Sequence, residues 1–225
     1  MEELIQQIIT IDGPAGSGKS TISKNLANAL GWRYLDTGAL YRAVAVAADL
    51  MEIYDQESVG ALAATLDIKI KTVGSLARVW LGDREITELL RTPGISQLSS
   101  TVSAYPEVRA ALMGLQRQQG AGGRMVAEGR DMGTVVFPRA GLKFFLTAEP
   151  EVRAARRRLE LLREGRPETP AEVLRLIMER DQADSTRPEA PLTVPEGAII
   201  VDSTRLSLFE VETIMLGETG RIFGR

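Results

Sequence analysis

The sequence predicts an α/β fold, a five-stranded parallel sheet flanked by helices, and three observations predict it. Five short apolar runs recur along the chain, most of them give way to helical periodicity, and the first leads directly into a glycine-rich turn. The runs are Gln7–Ile11, Arg33–Leu35, Met125–Ala127, Leu142–Leu146 and Ala198–Val201, each followed by Gly, Asp, Thr or Glu. Short, nearly continuous apolar strands suit a parallel sheet covered on both faces. Ligands of such sheets bind at the carboxyl ends of the strands.

The remaining elements follow in chain order. After the first strand a helix is expected over Thr21–Leu30, with Ile22, Leu26 and Leu30 on one face. The interval from about Leu62 to Thr92 changes period. Leu66–Lys71 alternates apolar with polar, Val73-Gly74-Ser75 turns the chain, Ala77–Leu81 follows, and Gly82-Asp83 turns again. That pattern predicts a small antiparallel meander inserted off the main sheet. A helix is expected over Pro150–Arg163, ending near Gly165. The next starts at Thr169-Pro170-Ala171-Glu172, where Thr169 caps, Pro170 takes the first helical position and Glu172 completes a capping box.

Composition narrows the chemistry. The 225 residues suffice for one well-buried domain with small insertions, and 44% hydrophobic with 25% charged residues is ordinary for a globular protein. The richest apolar run, Ala43–Met51, contains Asp49 and falls far short of the roughly 20 residues a membrane span needs. The acidic start Met1-Glu2-Glu3 resembles neither a signal nor a transit peptide, so a cytoplasmic location is expected. With no cysteine there is no disulfide, thiolate nucleophile or cysteine-bound zinc, and with no histidine the usual general base is missing. The net charge of −3 argues against a surface that coats nucleic acid. Of the 27 cations only Lys19, Lys24, Lys69, Lys71 and Lys143 are lysines. The arginine excess suits bidentate phosphate binding, and it equally fits the codon usage of a GC-rich genome.

Gly13-Pro14-Ala15-Gly16-Ser17-Gly18-Lys19-Ser20 satisfies G-x-x-x-x-G-K-[ST], between a strand and a helix. In such a loop, backbone N–H groups curl around phosphate oxygens at a helix N-terminus. Residues 13–21 are thus expected to cradle ATP, with Lys19 on the β- and γ-phosphates and the Ser20 hydroxyl on Mg²⁺. The fold is then a P-loop NTPase fold. No N-K-x-D guanine reader is present and the chain is too compact for a motor, so a small-molecule kinase leads.

Asp36-Thr37-Gly38-Ala39-Leu40-Tyr41-Arg42 resembles the D-[ST]-G-A-x-Y-R segment of the bacterial cytidylate kinase family. Gly129-Arg130-Asp131-Met132-Gly133-Thr134 is similar to its distinctive G-R-D-M-G-T. Arg180-Asp181 with Asp184, Arg187 and Ala190-Pro191-Leu192 resembles its R-D-x-x-D-x-x-R segment and trailing A-P-L. These motifs run in family order from near residue 8 to residue 204. The resemblance implies transfer of the ATP γ-phosphate to CMP and dCMP. It also implies one kinase domain over 1–225, an acceptor region at 37–110 containing the meander, and a lid at 150–185 with a short tip at about 163–167. Thr37 stands where many relatives have serine, and Glu128 where several have aspartate; Glu128 could reach a Mg²⁺-bound water.

The resemblance further assigns roles. Thr37, Tyr41, Arg42, Arg130 and Arg187 hold the acceptor phosphate, and Arg180 neutralises charge near the transferred group. Asp131 and Arg109 read cytosine, Ser100 assists and Asp184 binds the ribose. Arg153, Arg156 and Arg157 follow the family's lid pattern and supply one or more contacts to the ATP phosphates, whereas Arg158 is expected exposed. The chemistry agrees. A phosphate monoester is largely dianionic at neutral pH, its second pKa being about 6, so its oxygen attacks without a general base. A carboxylate accepts from the cytosine amino group and meets an acceptor in uracil, at a cost of about 1–3 kcal/mol.

Blander readings stand beside these. Arg42 could be a solvated helix charge, Arg130 and Asp131 a local ion pair, and Arg180, Asp184 and Arg187 at i, i+4, i+7 a surface stripe. Ser100 sits in a cluster with Ser99, Thr101 and Ser103, each of a type that caps or turns. The rivals for function are a P-loop kinase for UMP, AMP or an alcohol such as shikimate, and a nucleotide-binding regulatory module without turnover. Without a long heptad or an apolar stripe, a monomer is expected, with ATP and the monophosphate as partners and no nucleic-acid polymer or membrane.

Overall fold

The computed structural model describes residues 7–73 and 76–224, and the chain divides into two compact units, residues 36–118 and the remainder. The larger unit is built on strands β1 (Ile8–Asp12), β2 (Arg33–Asp36), β6 (Met125–Gly129), β7 (Leu142–Thr147) and β8 (Ile199–Asp202). They form one parallel sheet in the order β2-β6-β1-β7-β8. β1 is central, pairing Ile8–Asp12 with Met125–Gly129 on one side and Ile9–Asp12 with Leu142–Phe145 on the other. All five residues of β1 and of β6 are buried, as expected for strands covered on both faces.

Helix α1 (Lys19–Leu30) buries Ile22, Leu26 and Leu30 against Ile9, Ile11, Val126 and Phe144. Full burial of each such side chain stabilises by about 1.5–3 kcal/mol. Gly31, at φ 64, ends the helix, with Trp32 N–H donating to Ala27 O at 2.9 Å and Gly31 N–H to Asn28 O at 3.1 Å. The carboxy-terminal helix (Leu208–Phe223) adds Val211 and Met215 to the same core. Helices Pro150–Arg163 and Pro170–Thr186 pack on each other through Ala154, Leu161, Val173 and Ile177. The second starts in the capping box read from the sequence, with both Thr169–Glu172 bonds present.

The 36–118 unit is organised around α2 (Thr37–Leu50), which is buried on nearly every side. Asp36 caps it, accepting from Ala39 N–H at 3.0 Å. Helix α3 (Gln56–Thr65) starts at the cap Asp55, which accepts from Ser58 N–H at 2.9 Å. The meander follows as β3 (Ile68–Val73), β4 (Leu76–Leu81) and β5 (Arg84–Glu85), antiparallel in the order β3-β4-β5. Residues 62–65, expected at its edge, form the last turn of α3, because Val59 and Ala63 share one buried helical face. The turn expected at Val73-Gly74-Ser75 lies partly outside the described residues. Two further helices, α4 (Pro93–Val102) and α5 (Pro106–Gly120), each begin with proline at the first helical position. Among the described residues no helix is long and apolar enough to cross a membrane.

Candidate active site

The carboxyl end of β1 runs into the glycine-rich loop, where Gly13, Gly16 and Gly18 take φ of 152, 72 and 91. At Gly13 space as well as backbone conformation demands glycine, since an added Cβ would lie 2.0 Å from Leu146 O. Lys19, the first residue of α1, is buried and donates to Pro14 O at 2.6 Å and Ser17 Oγ at 3.3 Å. Burial and then the nearby Arg130 and Arg180 guanidinium groups pull its pKa well below the ordinary lysine value, while Glu128 and Asp184 oppose the shift. Ser20 and Thr21 are exposed on the first turn of α1. Glu128, near the end of β6, is buried and accepts a close hydrogen bond from the Tyr34 hydroxyl.

Arg130 donates through Nε to Asp184 Oδ2 at 2.7 Å. Burial works against its charge, but Asp184, with Glu128 and Asp181, more than offsets it and the guanidinium pKa is raised. Asp184 is likewise resisted by burial, yet Arg130, Arg180 and Arg187 together hold its carboxyl below the usual range. Arg187, at the end of the helix carrying Asp184, donates to Ala190 O through Nε at 2.8 Å and lies 3.9 Å from Asp131 Oδ1. The stripe at 180, 184 and 187 therefore faces inward onto Arg130 and Asp131 rather than out to solvent.

In the 36–118 unit, Thr37 and Tyr41 are buried on α2, and Arg42 pairs with the capping Asp36 at 2.9 Å. Arg109 is buried on α5, donates to Ser103 O at 3.1 Å and lies over the Tyr41 ring, 5.7 Å from its centroid. Ser100, half-buried on α4, accepts the Ser103 hydroxyl at its carbonyl.

Arg153, Arg156, Arg157 and Arg158, on the helix Pro150–Arg163, differ from one another. Arg153 is buried and donates to Ala148 O at 2.7 Å, to the loop carbonyl of Ala15 at 3.1 Å and to Asp181 Oδ2 at 2.5 Å. Arg156 donates to Ser203 Oγ at 2.9 Å, Ser203 O at 2.7 Å and, more weakly, the loop carbonyl of Ser17 at 3.4 Å. Arg157 pairs with Glu160 at 2.9 Å. Arg158, expected exposed, is half-buried, because it reaches across to the segment that follows its helix and donates to Glu168 O at 3.3 Å. Residues to which sequence reasoning gave no role include Asp181 and Ser203, acceptors of Arg153 and Arg156, and Asp12. The Asp12 carboxylate, at the end of β1, is buried and accepts from Met132 N–H at 2.8 Å and Gly133 N–H at 2.7 Å. Its position directly before the loop, on the same strand face as Thr10, was the available signal.

Among the described residues no group of three or more His, Cys, Asp or Glu is arranged to hold a metal ion. The exposed Ser20 hydroxyl beside Lys19 fits Mg²⁺, which keeps several waters and takes its other ligands from substrate phosphates.

The cytidylate kinase family model matches residues 9–219, nearly the whole chain. The chain belongs to the cytidylate kinase family. Two cytidylate kinases illustrate the relationship. That of Carboxydothermus hydrogenoformans is 47% identical over 215 residues, covering 95% of this chain and 97% of its own. That of Colwellia psychrerythraea is 42% identical over 220 residues, covering 96% and 97%. At the level of fold, an uncharacterized protein from Eubacterium ventriosum superposes with a TM-score of 0.52 at 10% identity, covering 94% of this chain and 96% of that one. As a cytidylate kinase family member the chain is a nucleotide-binding transferase that uses ATP as phosphate donor.

Proposed function

We propose that the enzyme transfers the γ-phosphate of ATP to CMP and dCMP, and that residues 13–21 hold the donor. The observation that carries the assignment is the gathering of Arg130, Arg180 and Arg187 about the single carboxylate of Asp184, beside Asp131. Three buried or half-buried guanidinium groups on one carboxylate leave cationic capacity for phosphate oxygens.

In the sheet unit, Arg130 and Arg187 are assigned to the acceptor phosphate, Asp131 to the cytosine amino group, Asp184 to the ribose and Arg180 to the transferred group. In the 36–118 unit, Thr37, Tyr41 and Arg42 are assigned to the acceptor phosphate, and Arg109 with Ser100 to the base. An acceptor phosphate oxygen forms the new bond to the γ-phosphorus as the bond to the β,γ-bridging oxygen breaks, leaving ADP. No proton has to be removed first, in keeping with a chain that has no histidine. Lys19 leaves Pro14 O for the donor phosphates. When bound, Mg²⁺ on Ser20 neutralises charge on the β- and γ-phosphates.

We read 1–225 as one kinase domain, 37–110 as its acceptor region and 150–185 as its lid. Arg153 and Arg156 hold the loop carbonyls. Arg157 is tied by a surface pair worth about 1 kcal/mol or less, so it is the lid arginine most easily recruited to ATP. A cytoplasmic monomer completes the reading.

ADP release from ATP and Mg²⁺ tests it, with CMP, dCMP, UMP, AMP, GMP and shikimate compared as acceptors. Fast turnover on CMP and dCMP with weaker turnover on UMP is expected. Preference for another acceptor would overturn the roles of Arg109 and Asp131, and no turnover despite tight ATP binding would favour a regulatory module.

A further inference from the structure

We propose that Asp12 is a positioning residue for acceptor recognition: its carboxylate, on β1, pins the turn that presents Asp131. The inference rests on the assignment of Asp131 to the base.

The residues after Asp131 do not form an ordinary turn. Met132–Val136 makes a single π-helical turn, with Val136 N–H donating to Asp131 O at 3.1 Å and Phe137 N–H to Met132 O at 2.7 Å. Such turns are uncommon and concentrate at functional sites. The first N–H groups of a helical turn have no acceptor within it. Here those of Met132 and Gly133 point at Asp12, which takes one on each carboxylate oxygen, across 120 and 121 residues of sequence. Two acceptors on one rigid group fix both the position and the rotation of the turn, and Asp131 is the residue immediately before it. The floor is equally tight, since a Cβ on Gly133 would lie 2.9 Å from both Thr10 Oγ1 and Pro195 Cγ.

This arrangement is costly, which argues that it serves the site. Burial pushes the Asp12 carboxyl up to about 6, with Asp131 at the start of the turn adding to the rise and Lys19 at the start of α1 opposing it. The two N–H bonds oppose the rise as well, so the turn holds Asp12 ionised at neutral pH and Asp12 holds the turn. An apolar residue at position 12 would avoid the desolvation cost but leave two buried N–H groups unpaired. Asparagine keeps the shape and accepts from at most one of them, its amide nitrogen being a donor.

The experiment compares wild type, Asp12→Asn and Thr10→Val at saturating ATP, with CMP and UMP as acceptors. Thr10→Val changes packing beneath the same turn without touching either hydrogen bond. Asp12→Asn is expected to raise KM for CMP about tenfold and to lower the CMP-over-UMP preference severalfold, the scale of one lost hydrogen bond to a charged group. KM for ATP and kcat should stay within about threefold, and Thr10→Val should keep the wild-type preference, as a change of packing alone does not touch the reader. Unchanged KM for CMP and unchanged preference in Asp12→Asn would overturn the proposal. So would a defect confined to ATP, or the same loss of preference in Thr10→Val. Should Asp12→Asn not fold, hydrogen exchange in the wild type decides. Protection of the Met132 and Gly133 amides supports the pinning, and exchange as fast as exposed loop amides overturns it. Wild-type enzyme without a preference for CMP would instead overturn the Asp131 assignment itself, and the pinning role with it.

Discussion

At Gly13 the backbone stands at φ 152 and an added Cβ would lie 2.0 Å from Leu146 O, so alanine there must displace either the loop or β7. Gly13→Ala should cost about 3 kcal/mol or more in urea unfolding and abolish measurable ATP binding; wild-type values of both would contradict the reading. Asp12 contributes a pH dependence whose sign follows from its raised pKa. The folded value of about 6 lies above the unfolded 3.8, so its contribution to stability is fully present below pH 3.8 and lost as pH rises through about 6. Asp12→Asn should remove that loss, on the order of 3 kcal/mol between those limits. Urea melts at pH 4.5 and pH 7 check it: relative to wild type, the variant should gain stability toward pH 7, and an equal difference at both would refute it. At this scale the motifs single out Arg130, Asp131, Asp184 and Arg187, which the structure draws together in pairs. Asp12 was not, because its partners lie 120 and 121 residues away and are backbone N–H groups that every residue type but proline shares. Arg153 is one of three arginines of which one or more were expected on the ATP phosphates; its observed partners are two carbonyls and Asp181.

Among the elements, the capping box at Thr169–Glu172 gives the cleanest expectation. Thr169 accepts from Glu172 N–H, and the Glu172 carboxylate accepts from the Thr169 hydroxyl and N–H, which lower its pKa. Thr169→Ala should cost about 1 kcal/mol in urea unfolding and leave KM for CMP unchanged, since the cap touches no residue assigned to the acceptor. A large rise in that KM would show that the cap reaches the site. The strands were legible as apolar runs, yet β1, β2, β6, β7 and β8 each continue into polar residues: Asp12, Asp36, Glu128-Gly129, Thr147 and Asp202. Apolar patterning stops short there because the carboxyl ends of parallel strands carry ligand-facing and capping groups while their backbones still pair. Asp36 shows the overlap, ending β2, capping α2 and pairing with Arg42. The π-helical turn after Asp131 escaped the sequence reading for a related reason. Met132-Gly133-Thr134-Val135-Val136 has no periodicity of its own, and long-range hydrogen bonds set its shape.

On the scale of the molecule, a chain with net charge −3 concentrates arginines and Lys19 at the carboxyl ends of its parallel strands, and this local bias rather than the overall charge suits a polyphosphate site. The α/β class and the inserted meander were legible from alternating periodicities. The division into 36–118 and the remainder has no local pattern behind it, because the packing of α2 among α3, α4 and β4 depends on contacts that no such pattern encodes; the region 37–110 was marked out by the family resemblance alone. The central claim is that this architecture reads cytosine through Asp131, and the most direct test is the ratio of kcat/KM for CMP to that for UMP in wild type and in Asp131→Asn. Asparagine can donate where aspartate only accepts, so the variant should turn toward the uracil carbonyl and the ratio should fall about tenfold or more. An unchanged ratio, with both substrates slowed equally, would contradict the account and reduce Asp131 to a structural partner of Arg187.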